Sequence, residues 1–220
     1  MSEPFGGDGY FKRRLIQLLE EYNIKSIIET GTYHGATTKE LCKLRPTWTI
    51  EAVERFYNEC GDLSRFGIKQ FLGRSYEILD QILGHKESLQ GPILFFLDAH
   101  GPSYHDPSPL PQELETITKY GIKDCVIIIH DFYVPGKDFG YDEYCGQKYV
   151  WEWIKPYVDK VYGEGNYIIE YNKEAEGARS GILYILPKID FQSLGIAKSS
   201  NSKFSFKKDY NDSKNPSTSQ

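Results

Sequence analysis

Short, mostly apolar runs alternate with amphipathic stretches through most of the chain. The runs are Ser26–Glu29, Thr49–Val53, Lys69–Leu72, Ile93–Leu97 and Cys125–Ile129. Segments such as ILFFL and VIII have no polar side, as expected of strands that are covered on both faces. Helix-like spacing fills the intervals, over residues 10–22, 36–43, 76–83 and 110–118. Strands that alternate with helices predict an α/β fold with a parallel, doubly wound sheet.

The end of the folded region has a different pattern. After a predicted helix at Lys148–Val158, Tyr167–Tyr171 and Gly181–Leu186 are predicted as two strands, and the polar segment NKEAEGARS between them favours a hairpin. We therefore predict five parallel strands followed by a hairpin, in a domain over residues 10–190. Residues 1–9 are rich in glycine and are predicted to be flexible, and residues 198–220 are predicted to be a disordered polar tail.

Composition narrows the class of protein. The chain has 220 residues, of which 40% are apolar, 26% charged and 15% aromatic, which excludes a disordered, collagen-like or coiled-coil protein. The net charge is −5 although the tail holds five lysines, so the body is acidic and nucleic acid is not expected as a partner. No apolar run is long enough for a membrane helix or resembles a signal peptide, and the four cysteines form no CxxC pair. We expect a cytoplasmic protein with reduced thiols.

The turn after the first strand reads IIETGTYHGATT and is a candidate ligand site, because ligands of open α/β sheets bind beyond the carboxyl ends of the strands. Its Gly31 and Gly35 have the spacing GxxxG, whereas a dinucleotide fingerprint is GxGxxG. Glu29 would repel a pyrophosphate, which disfavours NAD and FAD and favours a ligand with positive charge. The alternative is that the two glycines only form a tight turn between strand and helix.

The next two strand ends add further polar groups. The second strand, TIEAVE, is predicted to end at Glu54, where a Rossmann-type fold holds ribose hydroxyls. A solvated glutamate with no ligand is the alternative. The third strand continues into FLGRSYEIL, with Gly73 and Ser75 at its end. One acid for a cationic group, Glu29, and one for a ribose, Glu54, together match S-adenosylmethionine, a nucleoside joined to an amino acid through a sulfonium.

These segments, together with FFLDAHG and IIIHDF, resemble in order and spacing the class I S-adenosylmethionine-dependent O-methyltransferases. The resemblance covers residues 24–187 and is greatest to the metal-assisted branch that includes catechol O-methyltransferase and the macrolide-sugar O-methyltransferases. It implies a Rossmann-like, doubly wound sheet of seven strands, mostly parallel with an antiparallel last strand. That topology agrees with the terminal hairpin predicted above.

The resemblance also implies residue roles at the cofactor. Glu54 would hold the ribose hydroxyls, Ser75 would lie at the adenine edge, and Asp98 would lie near the cofactor. The wall around the methionine part would be formed by four residues, Glu29, Gly31, Thr32 and Gly35.

The resemblance implies a divalent metal as well. Asp98 matches an aspartate that binds the cation in metal-dependent members, which add an Asp-Asp or Asp-Asn pair at the end of the fifth strand. This chain has His130-Asp131 at that position. Oxygen ligands suit Mg²⁺, whereas an imidazole shifts the preference towards Mn²⁺, Fe²⁺ or Zn²⁺. Either the site takes a softer metal, or His130 is not a ligand and metal binding is weak.

The general base is a second departure from the family. Catechol O-methyltransferases have a lysine shortly after the fourth-strand aspartate, but here the segment is DAHGPSYH. His100 is the candidate replacement, because an imidazole titrates near neutral pH and can accept a hydroxyl proton, and His105 is a weaker one. The alternative is that His100 only bonds the cofactor or caps the loop.

The sequence thus favours an O-methyltransferase for a small hydroxylated acceptor. A saccharide is one candidate acceptor, because tyrosines and phenylalanines alternate with acids over residues 132–144, although a phenol would fit equally. Other hypotheses are a non-catalytic S-adenosylmethionine-binding module, a metal-dependent hydroxylase like those related to cephalosporin biosynthesis and, least favoured, a nicotinamide-dependent enzyme. No membrane partner is expected, and a homodimer is one option for the oligomeric state.

Overall fold

The computed structural model describes residues 3–85, 89–99 and 107–188. The predicted catalytic residue His100, the weaker candidate His105 and the predicted polar tail at 198–220 lie outside these ranges. No helix of the described part has the length and apolar character needed to cross a bilayer.

The described elements alternate as the hydrophobic pattern predicts. The helices are α1 (Gly9–Glu21), α2 (Ala36–Leu44), α3 (Glu54–Cys60), α4 (Ser75–Gly84), α5 (Leu110–Lys119) and α6 (Trp151–Tyr162). The strands are β1 (Ser26–Thr30), β2 (Thr47–Glu51), β3 (Lys69–Leu72), β4 (Ile93–Leu97), β5 (Val126–Ile129), β6 (Glu143–Tyr144), β7 (Gln147–Lys148), β8 (Tyr167–Tyr171) and β9 (Leu183–Pro187).

Seven of the strands form one sheet in the order β3-β2-β1-β4-β5-β9-β8. The first five are parallel, and β9 runs antiparallel between β5 and β8. The predicted fold class, a doubly wound seven-stranded sheet with an antiparallel last strand, is therefore confirmed. The order reverses at β1, where β2 and β4 pair on opposite sides, and this is the point at which such sheets bind ligands.

Burial on both faces explains why the central strands are apolar throughout. Alternate residues of β4 face two separate clusters: Leu94 and Phe96 pack towards α1 and α2, whereas Phe95 and Leu97 pack towards α4, α5 and α6. Every residue of β1, β2, β4 and β5 is buried. Because β1, β2, β4 and β5 pair in parallel, their carboxyl ends lie at the same edge of the sheet.

The predicted end of the second strand was wrong. β2 stops at Glu51, three residues before Glu54, and Glu54 instead begins α3 with an exposed side chain. An acidic residue is favourable there because the first turn of a helix carries partial positive charge. Helix α3 was not predicted from the sequence. Helix α6 begins later than predicted, at Trp151, because the preceding residues Gln147 and Lys148 pair with β6.

Two residues of the N-terminal segment, Phe5 and Asp8, are buried, whereas Glu3 and Gly6 are exposed, and the flexibility of residues 1–9 stays a prediction. Phe5 is 4% exposed, and its ring meets Phe11 edge-on at 5.4 Å between centroids. Its N–H donates to Thr37 Oγ1 at 2.9 Å, and the carbonyl of Gly6 accepts from the N–H of Ala178 at 2.9 Å. The segment therefore bridges the first turn of α2 and the connection between β8 and β9.

Candidate functional site

A glycine turn joins β1 to α2 and brings the ends of β1 and β4 together. Gly31 has φ 87°, and a Cβ at this position would lie 2.1 Å from the carbonyl oxygen of Asp98, so only glycine fits. Gly35 has φ 69° and precedes α2, and its N–H donates to the Thr32 carbonyl at 2.8 Å. The predicted residues Gly31, Thr32 and Gly35 thus form one tight loop beside Asp98.

Glu29 lies beneath this loop and is 1% exposed. Its Oε2 accepts hydrogen bonds from Thr38 Oγ1 at 2.5 Å and from Thr49 Oγ1 at 2.7 Å, and the Thr49 hydroxyl lies 2.6 Å from that of Thr32. One carboxyl group therefore connects β1, β2, α2 and the loop. The carboxyl group of Glu29 is thus surrounded by threonine hydroxyl groups.

The pKa of Glu29 is raised from 4.5 to about 8. Burial is the largest cause, the hydrogen bonds from Thr38 and Thr49 oppose it, and the negative charges of Asp98 and Glu51 add to it. A positively charged ligand near the loop would favour the ionised form of Glu29 and lower this pKa.

Glu51, which was not among the predicted site residues, lies at the end of β2, where Glu54 was predicted to lie. It is 5% exposed, and its carboxylate accepts from the N–H of Tyr33 at 2.7 Å and from that of Val53 at 2.8 Å. These bonds tie the glycine loop to the β2–α3 connection. No signal in the sequence separates Glu51 from Glu54, because the end of β2 is set by its pairing with β1 over Thr47–Ile50 and with β3 as far as Glu51.

Ser75 lies at the end of the adjacent strand, as predicted. It begins α4 and is 3% exposed, and its Oγ is buried without a hydrogen-bond partner among the described residues. The preceding Gly73 donates its N–H to the carbonyl of Glu51 at 3.0 Å. Glu51 and Ser75 therefore lie on neighbouring strand ends, whereas Glu54 points to solvent.

Two aromatic residues near the Glu51 end of β2, exposed Tyr33 and half-buried Phe56, were not among the predicted site residues. Tyr33, in the glycine loop, is 50% exposed with φ 49°, and its ring contacts that of Phe56 at 4.7 Å between centroids. Non-glycine residues with positive φ are uncommon in proteins, and those that occur cluster at functional sites. The pair forms an apolar wall beside the ends of β1 and β2.

The three predicted metal ligands come together. One ligand atom each from Asp98, His130 and Asp131 lies within 4.8 Å of the others. His130 Nδ1 is 3.4 Å from Asp98 Oδ1 and 3.2 Å from Asp131 Oδ2. Ligands that share one metal at about 2.1 Å are separated by about 3.0–3.5 Å in tetrahedral or octahedral geometry. Two carboxylates and one imidazole at these distances fit a divalent cation.

The same proximity changes the titration of the cluster. Burial lowers the pKa of His130, but the charges of Asp98 and Asp131 outweigh it and raise the pKa well above 6.5. Burial raises the pKa of Asp131, but the ion pair with His130 and a hydrogen bond from Ser180 lower it below 3.8.

The β8–β9 connection supports Asp131 from behind. Asp131 has φ 51°, and a Cβ on Gly181 would lie 2.0 Å from the carbonyl oxygen of the next residue, Phe132. The buried amide of Asn172 accepts from the Ile182 N–H at 2.7 Å and donates to the Ser180 carbonyl at 3.0 Å. The connection is therefore held close to the end of β5, where Ser180 reaches the Asp131 carboxylate.

No protein-family model matches the sequence, and no curated protein matches it either. Solved structures do match. The O-methyltransferase TomG of Streptomyces achromogenes, involved in tomaymycin synthesis and solved in complex with SAM, aligns with a TM-score of 0.55 and 18% identity over 80% of this chain and 79% of its own. An O-methyltransferase of Bacillus cereus in complex with SAH aligns with a TM-score of 0.52 and 16% identity over 81% of each chain.

At this level of identity the alignments establish architecture. The shared region covers about four fifths of both chains. This chain therefore has the Rossmann-like fold of the class I S-adenosylmethionine-dependent methyltransferases.

Proposed function

We propose that this protein is an S-adenosylmethionine-dependent O-methyltransferase that acts on a small hydroxylated acceptor. The observation that carries the proposal is the contact of three strand ends at the switch point of the sheet. A glycine loop lies against Asp98, and the buried acid Glu51 lies beside it. Two of the O-methyltransferases with a similar fold, TomG and the Bacillus cereus protein, were solved with S-adenosylmethionine and S-adenosylhomocysteine, respectively.

Glu51 is proposed to hold the ribose, in place of Glu54. A carboxylate oxygen can accept more than one hydrogen bond, so ribose hydroxyls can join the two N–H groups that Glu51 already binds. The Ser75 hydroxyl, buried on the next strand end, is suited to the adenine edge. Tyr33 and Phe56 supply the adjacent aromatic surface.

The methionine part is proposed to lie against Gly31, Thr32 and Gly35. Absence of a side chain at Gly31 lets a ligand approach the backbone closely, and the acids Glu29 and Asp98 favour a sulfonium and an ammonium group there. Thr38 and Thr49 bind the carboxyl group of Glu29, so Glu29 is proposed to influence the ligand through its charge and through the loop that it supports, without direct contact.

Asp98, His130 and Asp131 are proposed to hold a divalent metal. A mixed set of oxygen and nitrogen ligands favours Mn²⁺ over Mg²⁺. When bound, such an ion lowers the pKa of an acceptor hydroxyl and fixes its orientation. Ser180 keeps the Asp131 carboxylate in place for this role.

The reaction is a direct transfer. The sulfonium–methyl bond breaks as the bond between the methyl and the acceptor oxygen forms, and the hydroxyl proton passes to a base. His100 is proposed as that base on the sequence argument alone. The site residues hold the two reactants in line, which supplies much of the acceleration of such a step. A saccharide acceptor and a cytoplasmic location stay predictions.

The histidine in the cluster favours one alternative, a metal-dependent hydroxylase on the same fold. An imidazole with carboxylates is a ligand set that suits iron. The two functions differ in what they require. A hydroxylase needs O₂ and a reductant, whereas the transferase needs S-adenosylmethionine.

The test is binding followed by turnover. Titration calorimetry should show that S-adenosylmethionine and S-adenosylhomocysteine bind and that NAD does not. Incubation with methyl-labelled S-adenosylmethionine, Mn²⁺ and a panel of sugars and phenols should then transfer label to at least one hydroxyl. Binding without transfer to any acceptor would favour the non-catalytic module, and absence of binding would refute the proposal.

A further inference from the structure

Residues 5–8 form a tight N-terminal turn to which the proposed transfer reaction assigns no role. Phe5, Gly6 and Gly7 have φ 56°, 60° and 79°, so three consecutive residues adopt the left-handed conformation. The N–H of Asp8 closes the turn by donating to the Phe5 carbonyl at 3.0 Å. This conformation is unfavourable for a phenylalanine and persists only where contacts with the surrounding structure stabilise it. The contacts of the N-terminal turn therefore bear on what it does.

The N-terminal turn packs directly against the β8–β9 connection. The N–H of Ala178 donates to the carbonyl of Gly6 at 2.9 Å. A Cβ on Gly177, which has φ 58°, would lie 2.1 Å from the carbonyl oxygen of Gly6, so a side chain at Gly177 would force the two segments apart. On its other side the turn is held by α2, because the Phe5 N–H donates to Thr37 Oγ1 at 2.9 Å.

The β8–β9 connection in turn supports Asp131. Two residues after Ala178, Ser180 donates a hydrogen bond to the Asp131 carboxylate. The carbonyl of Gly181 accepts the N–H of Phe132 at 2.8 Å. Asp131 itself has φ 51°, so its conformation also depends on such contacts. Residues 178–181 thus join the N-terminal turn to one of the three predicted metal ligands.

A second line of contacts leads through aromatic rings to His130. The Phe5 ring meets that of Phe11 edge-on at 5.4 Å, and the Phe11 ring lies 6.1 Å from the His130 imidazole, between centroids. Both phenylalanines are buried. Protein interiors are close-packed, so removal of one ring leaves space into which its neighbours can shift. The N-terminal turn is therefore connected to two adjacent metal ligands, His130 and Asp131, by separate routes.

We propose that the N-terminal turn is a positioning element of the metal site, which keeps His130 and Asp131 at the spacing that a divalent cation requires. The inference rests on the metal site of the proposed function. Removal of groups that orient metal ligands typically weakens metal binding by about 10- to 100-fold. Phe5 and Gly6 act through Phe11 and Ala178, so they are positioning residues and not ligands.

The test compares Mn²⁺ binding and stability in variants of the full chain. Electron paramagnetic resonance measures Mn²⁺ binding, and urea unfolding measures stability. Phe5→Ala removes the buried ring and should weaken Mn²⁺ binding by about 10- to 100-fold. Phe5→Leu keeps most of the apolar volume and should recover most of the lost affinity.

Leu83→Ala is the matched control for general destabilisation. Leu83 is buried and lies about 12 Å along α4 from Ser75, which is at the strand ends. Leu83→Ala should lower the midpoint of urea unfolding as Phe5→Ala does, because both substitutions create a cavity in a core. It should leave the Mn²⁺ affinity of the folded protein unchanged.

A second substitution tests the contact with the β8–β9 connection and leaves every buried ring in place. Gly177→Ala should push the N-terminal turn away from the connection and weaken Mn²⁺ binding by about 10-fold or more. Gly67→Ala is its control, because Gly67 also has positive φ but open space around it, and it should not change Mn²⁺ binding. If Phe5→Ala does not fold, this pair of glycine variants decides the question.

Three results would overturn the inference. The first is an unchanged Mn²⁺ affinity in both Phe5→Ala and Gly177→Ala. The second is an equal loss of affinity in Leu83→Ala, which would mean that any destabilisation weakens the site. The third is an unsubstituted chain that binds no Mn²⁺. Calorimetric titration of S-adenosylhomocysteine separates this last case from failure of the proposed transferase, because a chain that binds the nucleoside without Mn²⁺ loses only the metal site.

Discussion

Substitution of Glu51 tests the proposed cofactor site most directly. In Glu51→Gln the side chain keeps its size but loses its charge, and one acceptor oxygen becomes a donor. Either Tyr33 or Val53 then loses the acceptor for its N–H. The ribose loses a charge-assisted hydrogen bond at the same time.

The magnitude follows from that hydrogen bond. Hydrogen bonds to charged groups contribute about 1.5–3 kcal/mol, which corresponds to a loss of about 10- to 150-fold in affinity. Glu54→Gln is the matched control, because Glu54 is exposed in the first turn of α3 and only three residues away. It should change affinity by less than about twofold, as expected for a surface substitution.

Calorimetric titration of S-adenosylhomocysteine into each variant measures the effect, and urea unfolding confirms that both variants are folded. If Glu54→Gln weakens binding and Glu51→Gln does not, the ribose lies where the sequence pattern predicted it. If neither substitution matters, the nucleoside does not bind at these strand ends, and the proposed orientation of the cofactor is wrong.

Three further outcomes are expected. Burial raises the pKa of Glu29 from 4.5 to about 8, so between these two pH values the folded protein holds a proton that the unfolded chain has lost. The free energy of unfolding should therefore fall as the pH rises from about 4.5 to 8, by up to roughly 1.4 kcal/mol per pH unit. Urea unfolding of Glu29→Gln at several pH values should lack this dependence. Gly31→Ala should lose about 2–4 kcal/mol in the same assay, whereas Gly67→Ala, with positive φ but open space, should lose only about 1–2; equal losses would contradict the close approach to Asp98. Asp131→Ala should weaken Mn²⁺ binding at least about 100-fold by electron paramagnetic resonance, and exposed Asp138→Ala should not. Similar affinities in the two aspartate variants would exclude the cluster as the metal site.

The order of elements could be predicted from the sequence because strands that are buried on both faces consist of consecutive apolar residues. ILFFL and VIII are typical of strands covered on both faces, and the glycine turn IIETGTYHG indicates the end of β1. The seven-stranded topology followed from this alternation together with the family resemblance, and the structure confirms it.

The end of β2 could not be read in the same way. Glu51 and Glu54 are both acids that follow an apolar run, and either is compatible with a strand end. The difference is tertiary: β2 pairs with β1 only over Thr47–Ile50 and with β3 as far as Glu51, after which the chain turns into α3. The hydrophobic pattern of β2 does not show where the neighbouring strands β1 and β3 end, so it could not locate the end of β2.

The sequence by itself determined which residues are chemically capable, including Asp98, His130 and Asp131, because residue type and strand position are both local properties. Only the tertiary structure decided which of them meet. It set the distances within the metal cluster and buried the Glu29 carboxyl group beneath the glycine loop. The physical reason is that proximity and desolvation depend on chain segments far apart in sequence, and a pattern along one segment does not contain them.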